Sequence, residues 1–299
     1  MTFGEIRARL SALGREINPE TIAGTRSVIA PLLTMAPGTD VQLTRDIHYG
    51  RHERQRFDLF TARGKNGRDG QRPVLVFVHG GGFVAGDKHM PGTPFYDNIG
   101  VWAVRNGFNG INMTYRLAPD HQWPSGVEDI RALLDFVGEQ APTLGIDAHN
   151  IFLMGQSAGA VHVASYIAHP ELYAALPHGL RGAILVSGLY DFCTMAVSPL
   201  ERAYLGNDES CYQERSSLKG LLKCDVPLMI TVSEYDPCFF EAQALELLTA
   251  VQKKRLSLPR FVQLHGQNHM SSVLFIGLDG DQLGLALKDF IDETIDAGT

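Results

Sequence analysis

The feature that most constrains this chain is a rhythm. From residue 74 onward, short β-rich runs recur at VLVFVH (74–79), GINMTY (110–115), IFLMG (151–155), AILVS (183–187), PLMITV (227–232) and RFVQLH (260–265). Between them lie amphipathic stretches at 94–107, 125–140, 157–169, 239–254 and 281–295. Apolar runs without polar alternation read as strands buried on both faces, and their regular exchange with helices predicts an α/β chain. Its centre should be a mostly parallel sheet with helices on both faces. The helix over 125–140 is expected to open on Ser125, with Glu128 completing a capping box.

Upstream, VQLTRDIHYG (41–50) and RQRFDLFTA (54–62) predict two strands joined by a turn. Residues 1–35 form a helical lead-in with Ile6, Leu10, Leu13 and Ile17 on one face, and APGTD (36–40) breaks it. Only 190–222 departs from the rhythm. The whole of 1–299 reads as one domain, with 1–35 and 190–222 as candidate lid elements.

Several function classes drop out on charge and hydropathy. A net charge of −7 disfavours nucleic acid and anionic lipid as partners. The basic clusters RHERQR (51–56) and RGKNGRDGQR (63–72) are broken by acidic residues, and the second is rich in glycine, so both are expected in solvated loops. No apolar run reaches the ~18 residues of a membrane span. MTFGEIRARL lacks the apolar centre of a secretory signal, so a cytoplasmic protein is expected. Cys193, Cys211, Cys224 and Cys238 show no C-x-x-C pair and no metal-ligand spacing. They are expected as reduced thiols, mostly packed in the core, Cys238 among them.

GQSAG (155–159) is G-x-S-x-G at a predicted strand-to-helix junction, the setting of a nucleophile elbow. Small flanking residues let the turn push Ser157 into the open. A serine hydroxyl needs a base, and the base needs an acid to orient it. Asp236 and His269 follow the strands 227–232 and 260–265 in the required order. Glu234 is a rival acid; the D-P step after residue 235 favours Asp236. His265 is assigned a structural place, and His162 no chemical one. HGGGF (79–83) also follows a strand, and its glycines can turn N–H groups toward one point. Gly81 and Gly82, with Ala158, are the candidate oxyanion donors. Phe83, Leu189, Tyr190, Phe239, Phe240 and Met270 lie near these motifs and are candidates to line an apolar acyl pocket.

HGGGFVAGD (79–87), YRLAPDHQWPSGVED (115–129) and GQSAG resemble, in this order, the esterase/lipase branch of the α/β-hydrolase fold. The likeness is to the hormone-sensitive-lipase-like and small bacterial carboxylesterases, over most of residues 50–295. It implies that fold with a small helical lid, and hydrolysis of a small-molecule ester or amide by Ser157, His269 and Asp236 through an acyl-enzyme. No metal and no organic cofactor is implied. His79, Arg116 and Glu128 would brace the oxyanion loop.

Three departures stand out. Gln156 occupies a position that is usually acidic in the hormone-sensitive branch. DPCFFEA (236–242) replaces a D-P-x-x-D-E-G pattern, and GQNHMS (266–271) is nearer to feruloyl-esterase-like and kynurenine-formamidase-like relatives. A carboxylesterase, an arylformamidase with the same triad and a non-catalytic ligand receptor on the same fold all remain in play. A homodimer is left open.

Overall fold

The computed structural model describes residues 1–34, 37–64, 72–172 and 179–297. Most of the loop expected at 63–72 and the first residue of APGTD lie outside these. The lead-in is two helices rather than one. Helix α1 (Phe3–Ala12) opens on a Thr2–Glu5 capping box and buries Ile6 and Leu10. Gly14 then turns the chain at φ 76°, and α2 (Pro19–Ile29) restarts on an Asn18 cap. Ile17 falls in the link, where it is exposed, instead of on the α1 face.

The strands and helices then follow in the expected order. They are β1 (Val41–His48), β2 (Arg56–Ala62), β3 (Arg72–Val78), α3 (Asp97–Arg105), β4 (Asn109–Met113), α4 (Ser125–Leu144), β5 (Ile146–Gln156) and α5 (Ala158–Ala168). Next come β6 (Leu180–Val186), α6 (Pro199–Leu205), α7 (Tyr212–Arg215), α8 (Leu218–Leu221) and β7 (Leu228–Tyr235). The chain closes with α9 (Cys238–Arg255), β8 (Arg260–Asn268), α10 (Ser271–Leu274) and α11 (Gln282–Asp296).

The sheet order is β1-β2-β4-β3-β5-β6-β7-β8. Strand β2 runs antiparallel to both neighbours, and the pairings from β4 to β8 are parallel. Successive side chains on β3 point to opposite faces, as a pleated strand requires. Val76 and Val78 join Val127, Ile130 and Ala164 on one face, while Leu75 and Phe77 join Trp102, Leu287 and Ile291 on the other. Both faces are covered, which is why the central strands show no polar alternation.

Helix α4 begins at Ser125 as expected, but not on the expected cap. Pro124 occupies the cap position, Ser125 Oγ donates to the His121 carbonyl at 2.9 Å, and Glu128 turns to Arg116 at 2.8 Å. A full guanidinium outcompetes a backbone N–H for that carboxylate. Among the described residues no helix is long and apolar enough to cross a membrane. The cysteines are free thiols, but only Cys224 is buried; Cys193 and Cys238 are exposed, against the core packing expected of them.

Candidate active site

Strand β5 ends at Gln156 and α5 begins at Ala158, so Ser157 turns the chain alone. It does so at φ 56° and ψ −121°, outside the regions a non-glycine residue favours. Such a residue costs about 1–3 kcal/mol and persists only when its surroundings fix it. The flanking glycines are part of that fixing. A Cβ at Gly155 would lie 2.2 Å from the Gly159 carbonyl oxygen, and one at Gly159 would lie 2.0 Å from that of Val78.

Asp236 follows β7 and is fully buried. Its Oδ1 lies 2.8 Å from His269 Nδ1, while Oδ2 accepts the Ser187 hydroxyl at 2.6 Å and the Ser233 N–H at 2.7 Å. A carboxylate facing Nδ1 holds the imidazole proton there, which leaves Nε2 with its lone pair. Nε2 is buried and has no hydrogen-bond partner, Ser157 included, among the described residues. Catalytic hydrogen bonds of this kind commonly tighten only around a substrate. Phe240 stacks on the His269 ring with centroids 4.4 Å apart. The rival Glu234 pairs with Arg7 at 3.0 Å and accepts the Gly266 N–H at 2.7 Å, so it faces away from His269. That N–H, followed by Arg7, holds its carboxyl below the usual range. His265 is exposed.

Ser187 escaped the sequence reading. It ends the β6 run in a positive-φ conformation (50°) and is fully buried. The signal was a polar residue closing an apolar strand at the same end of the sheet as Ser157. The lead-in also reaches the site. Arg15 donates to the Asp236 carbonyl at 2.7 Å and pairs with Glu241, and Asn268 donates to Thr25 Oγ at 2.8 Å. These helices dock behind both the acid and the histidine.

In the HGGGF loop Gly81 and Gly82 have φ of 127° and 59°, and Phe83 has 69°. A Cβ at Gly81 would come within 2.1 Å of the Ala85 carbonyl oxygen. No described group accepts a hydrogen bond from the N–H of Gly81, Gly82 or Ala158. His79 Nδ1 meets the Gly80 carbonyl at 2.6 Å, its ring stacks on Tyr115 and the Tyr115 hydroxyl donates to the His79 carbonyl at 2.9 Å. Arg116 pairs with Glu128 and with the fully buried Asp129, which fixes the segment whose Ala118 N–H holds the Phe83 carbonyl at 3.0 Å. Arg54, expected in a solvated loop, instead donates to the carbonyls of Tyr115 at 2.8 Å and Gly86 at 2.9 Å. Carbonyls left over by the turning glycine loop and the segment after β4 need donors, and Arg54 supplies them.

Known proteins resemble this chain in sequence and in fold. The family described as BD-FAE matches residues 58–176. Carboxylesterase NlhH of Mycobacterium tuberculosis is 40% identical over 89 residues, 29% of this chain and 26% of that protein. Esterase LipC of the same organism is 25% identical over 284 residues, 88% of this chain and 63% of that protein. The chain thus spans about a quarter of the length of the curated carboxylesterase at 26%. Esterase B from Lactobacillus rhamnosis, in a crystal structure inhibited by a tributyrin phosphonate, superposes with a TM-score of 0.76. That match has 17% identity and covers 100% of this chain and 98% of the other. The chain has the α/β-hydrolase fold. A bacterial heroin esterase shares it at TM-score 0.71 and 22% identity, covering 97% of each chain. In sequence and fold alike, the resemblance to hormone-sensitive-lipase-like bacterial esterases holds.

On this α/β-hydrolase frame, the expected pocket residues divide. Phe83, Leu189 and Phe240 share one apolar cluster with Ala158. Tyr190 belongs to the main core on one sheet face, and Met270 packs against the core on the other. Phe239 is 42% exposed and rests on Phe240. These three lie outside the cluster that holds Ala158. The cluster also takes Phe192, Tyr204 and Tyr212 from 190–222. Tyr204 stacks on Phe83 at 4.6 Å, and a Cβ at Gly82 would meet Leu200 at 2.8 Å, so α6 lies over the HGGGF loop.

His162, on the second turn of α5, is boxed by the rings of Phe83, Tyr115 and Tyr204. Neither ring nitrogen has a partner among the described groups. Burial pushes its pKa down to about 3, and that of His79 to about 4, from the ordinary 6.5. Both imidazoles are neutral in the folded chain. As pH falls below 6.5, the unfolded chain binds protons that the folded one refuses, so stability declines toward those depressed values. We expect Tm to fall steeply between pH 6.5 and pH 4, and His162→Phe to flatten part of that slope. An unchanged Tm-versus-pH slope in the variant would assign the acid sensitivity to other groups.

Proposed function

We propose that this chain is a serine carboxylesterase acting on small to medium acyl esters through an acyl-enzyme. The observation that carries the reading is the His269–Asp236 pair at 2.8 Å, which leaves Nε2 unpartnered at the sheet end where Ser157 turns the chain. The relatives named carboxylesterase and esterase support ester hydrolysis as the reaction class.

In this mechanism Ser157 Oγ attacks the acyl carbon while His269 Nε2 takes its proton. Asp236 stabilises the imidazolium without itself becoming protonated. The carbonyl oxygen gathers charge against the N–H groups of Gly81, Gly82 and Ala158, whose lack of other acceptors suits them to it. One such donor is worth about 3–4 kcal/mol in the transition state. His269 then protonates the leaving alcohol, and a water activated by the same imidazole cleaves the acyl-enzyme. Phe83, Leu189 and Phe240 supply the apolar wall for the acyl chain, and 190–222 with α6 acts as its cover. With four free thiols the chain suits the reducing cytoplasm.

A fluorophosphonate probe together with a substrate panel tests this. We expect covalent labelling at Ser157, and kcat/KM higher for p-nitrophenyl acetate or butyrate than for an aryl formamide. Preference for the formamide would make the chain an arylformamidase, and a folded chain that never labels would be a receptor.

A further inference from the structure

We propose that Gln156 is a positioning residue for His269, and that the position requires an uncharged hydrogen-bond donor; this rests on the serine-esterase reading. Gln156 is the last residue of β5, directly before the nucleophile, and is 2% exposed. Its Nε2–H donates to the backbone carbonyl of His269 at 3.0 Å. A carbonyl can only accept, so the nitrogen end of the amide must face it. The same carbonyl takes the Ser272 hydroxyl at 3.0 Å. The amide oxygen lies against Gly80, where a Cβ would come within 2.4 Å of it.

One side chain therefore touches the backbone of the histidine loop and of the oxyanion loop, and it is anchored beside the nucleophile. Holding the His269 carbonyl fixes where the imidazole can swing relative to Ser157. The acidic residue that the resemblance leads one to expect here could not do this when ionised, because a carboxylate has no proton to donate. A buried charge there would also face His269, with Asp236 beyond it and His79 next to Gly80.

The isosteric variant Gln156→Glu turns this into a measurement. Protonated, the new carboxyl donates as the amide does; ionised, it repels the carbonyl. Burial raises the pKa of such a carboxyl into the working range. The kcat/KM of the parent should rise with pH to a plateau, as catalysis by a general base requires. In Gln156→Glu it should rise and then fall, with a maximum below the parent's plateau. Gln156→Leu should lower kcat about tenfold, the typical effect of one lost buried hydrogen bond, with KM within about twofold because no substrate contact is removed.

A Gln156→Glu profile of the parent's shape, or a folded Gln156→Leu with the parent's kcat, would overturn the inference. If Gln156→Leu fails to fold, the Gln156→Glu profile decides alone. Fluorophosphonate labelling of the parent separates the two readings. A parent that does not label removes the esterase reading and this inference together; a parent that labels, with Gln156 variants that match it, removes only this one.

Discussion

Ser157→Ala should lower kcat on p-nitrophenyl butyrate by up to ~10⁶ and leave the fold intact. The size follows from the division of labour at the site. In the proposed mechanism, loss of the hydroxyl removes the acyl-enzyme and leaves only the oxyanion donors and the apolar wall to act on a bound ester. The stability of the variant follows from its surroundings. Alanine keeps the Cβ that the elbow already accommodates at φ 56°, and the Ser157 hydroxyl has no described hydrogen bond to lose. Tm should therefore stay within a few degrees of the parent, a surface-like effect. Full activity in a folded Ser157→Ala protein would exclude Ser157 as the nucleophile.

Asp236→Asn should cost about 10⁴ in kcat, with KM little changed. The reason lies in what surrounds each oxygen. Oδ2 sits between two donors, the Ser187 hydroxyl and the Ser233 N–H. An asparagine must place its carbonyl oxygen there, since its NH2 would face those donors. The NH2 then points at His269 Nδ1, which must become an acceptor, and the imidazole proton moves to Nε2. That nitrogen can no longer take the proton of Ser157. The Ser233 N–H can only donate and by itself holds the amide in this orientation, so Ser187→Ala added to Asp236→Asn should leave the loss in kcat in place. A kcat for Asp236→Asn within about tenfold of the parent would show that the tautomer is not what Asp236 controls.

The alternation of strands and helices, the elbow and the triad candidates were legible because each depends on local order. A buried strand, a turn that needs glycines and a hydroxyl at a strand end all leave marks within a few residues. The break inside the helical lead-in left no mark, because Gly14 and the Asn18 cap interrupt a pattern whose apolar spacing continues through them. The Ser125 cap was misjudged because Arg116, not the helix terminus, claims Glu128. The contacts of Arg54 with the oxyanion loop and of Arg15 with Asp236 had no sequence mark at all: the second joins residues separated by 221 positions.

The sequence by itself determined the order of the elements, their apolar faces and the end of the sheet at which the candidate site residues emerge. Only the tertiary structure decided which carboxylate meets His269. Glu234 lies in the last residues of β7 and Asp236 directly after it, and the D-P step that favours Asp236 does not say where either side chain points. Arg7 and the Gly266 N–H draw one away, while Ser187 and Ser233 hold the other in place. The direction of a side chain at such a strand end is set by partners that folding brings from elsewhere in the chain, and a linear pattern carries no record of them.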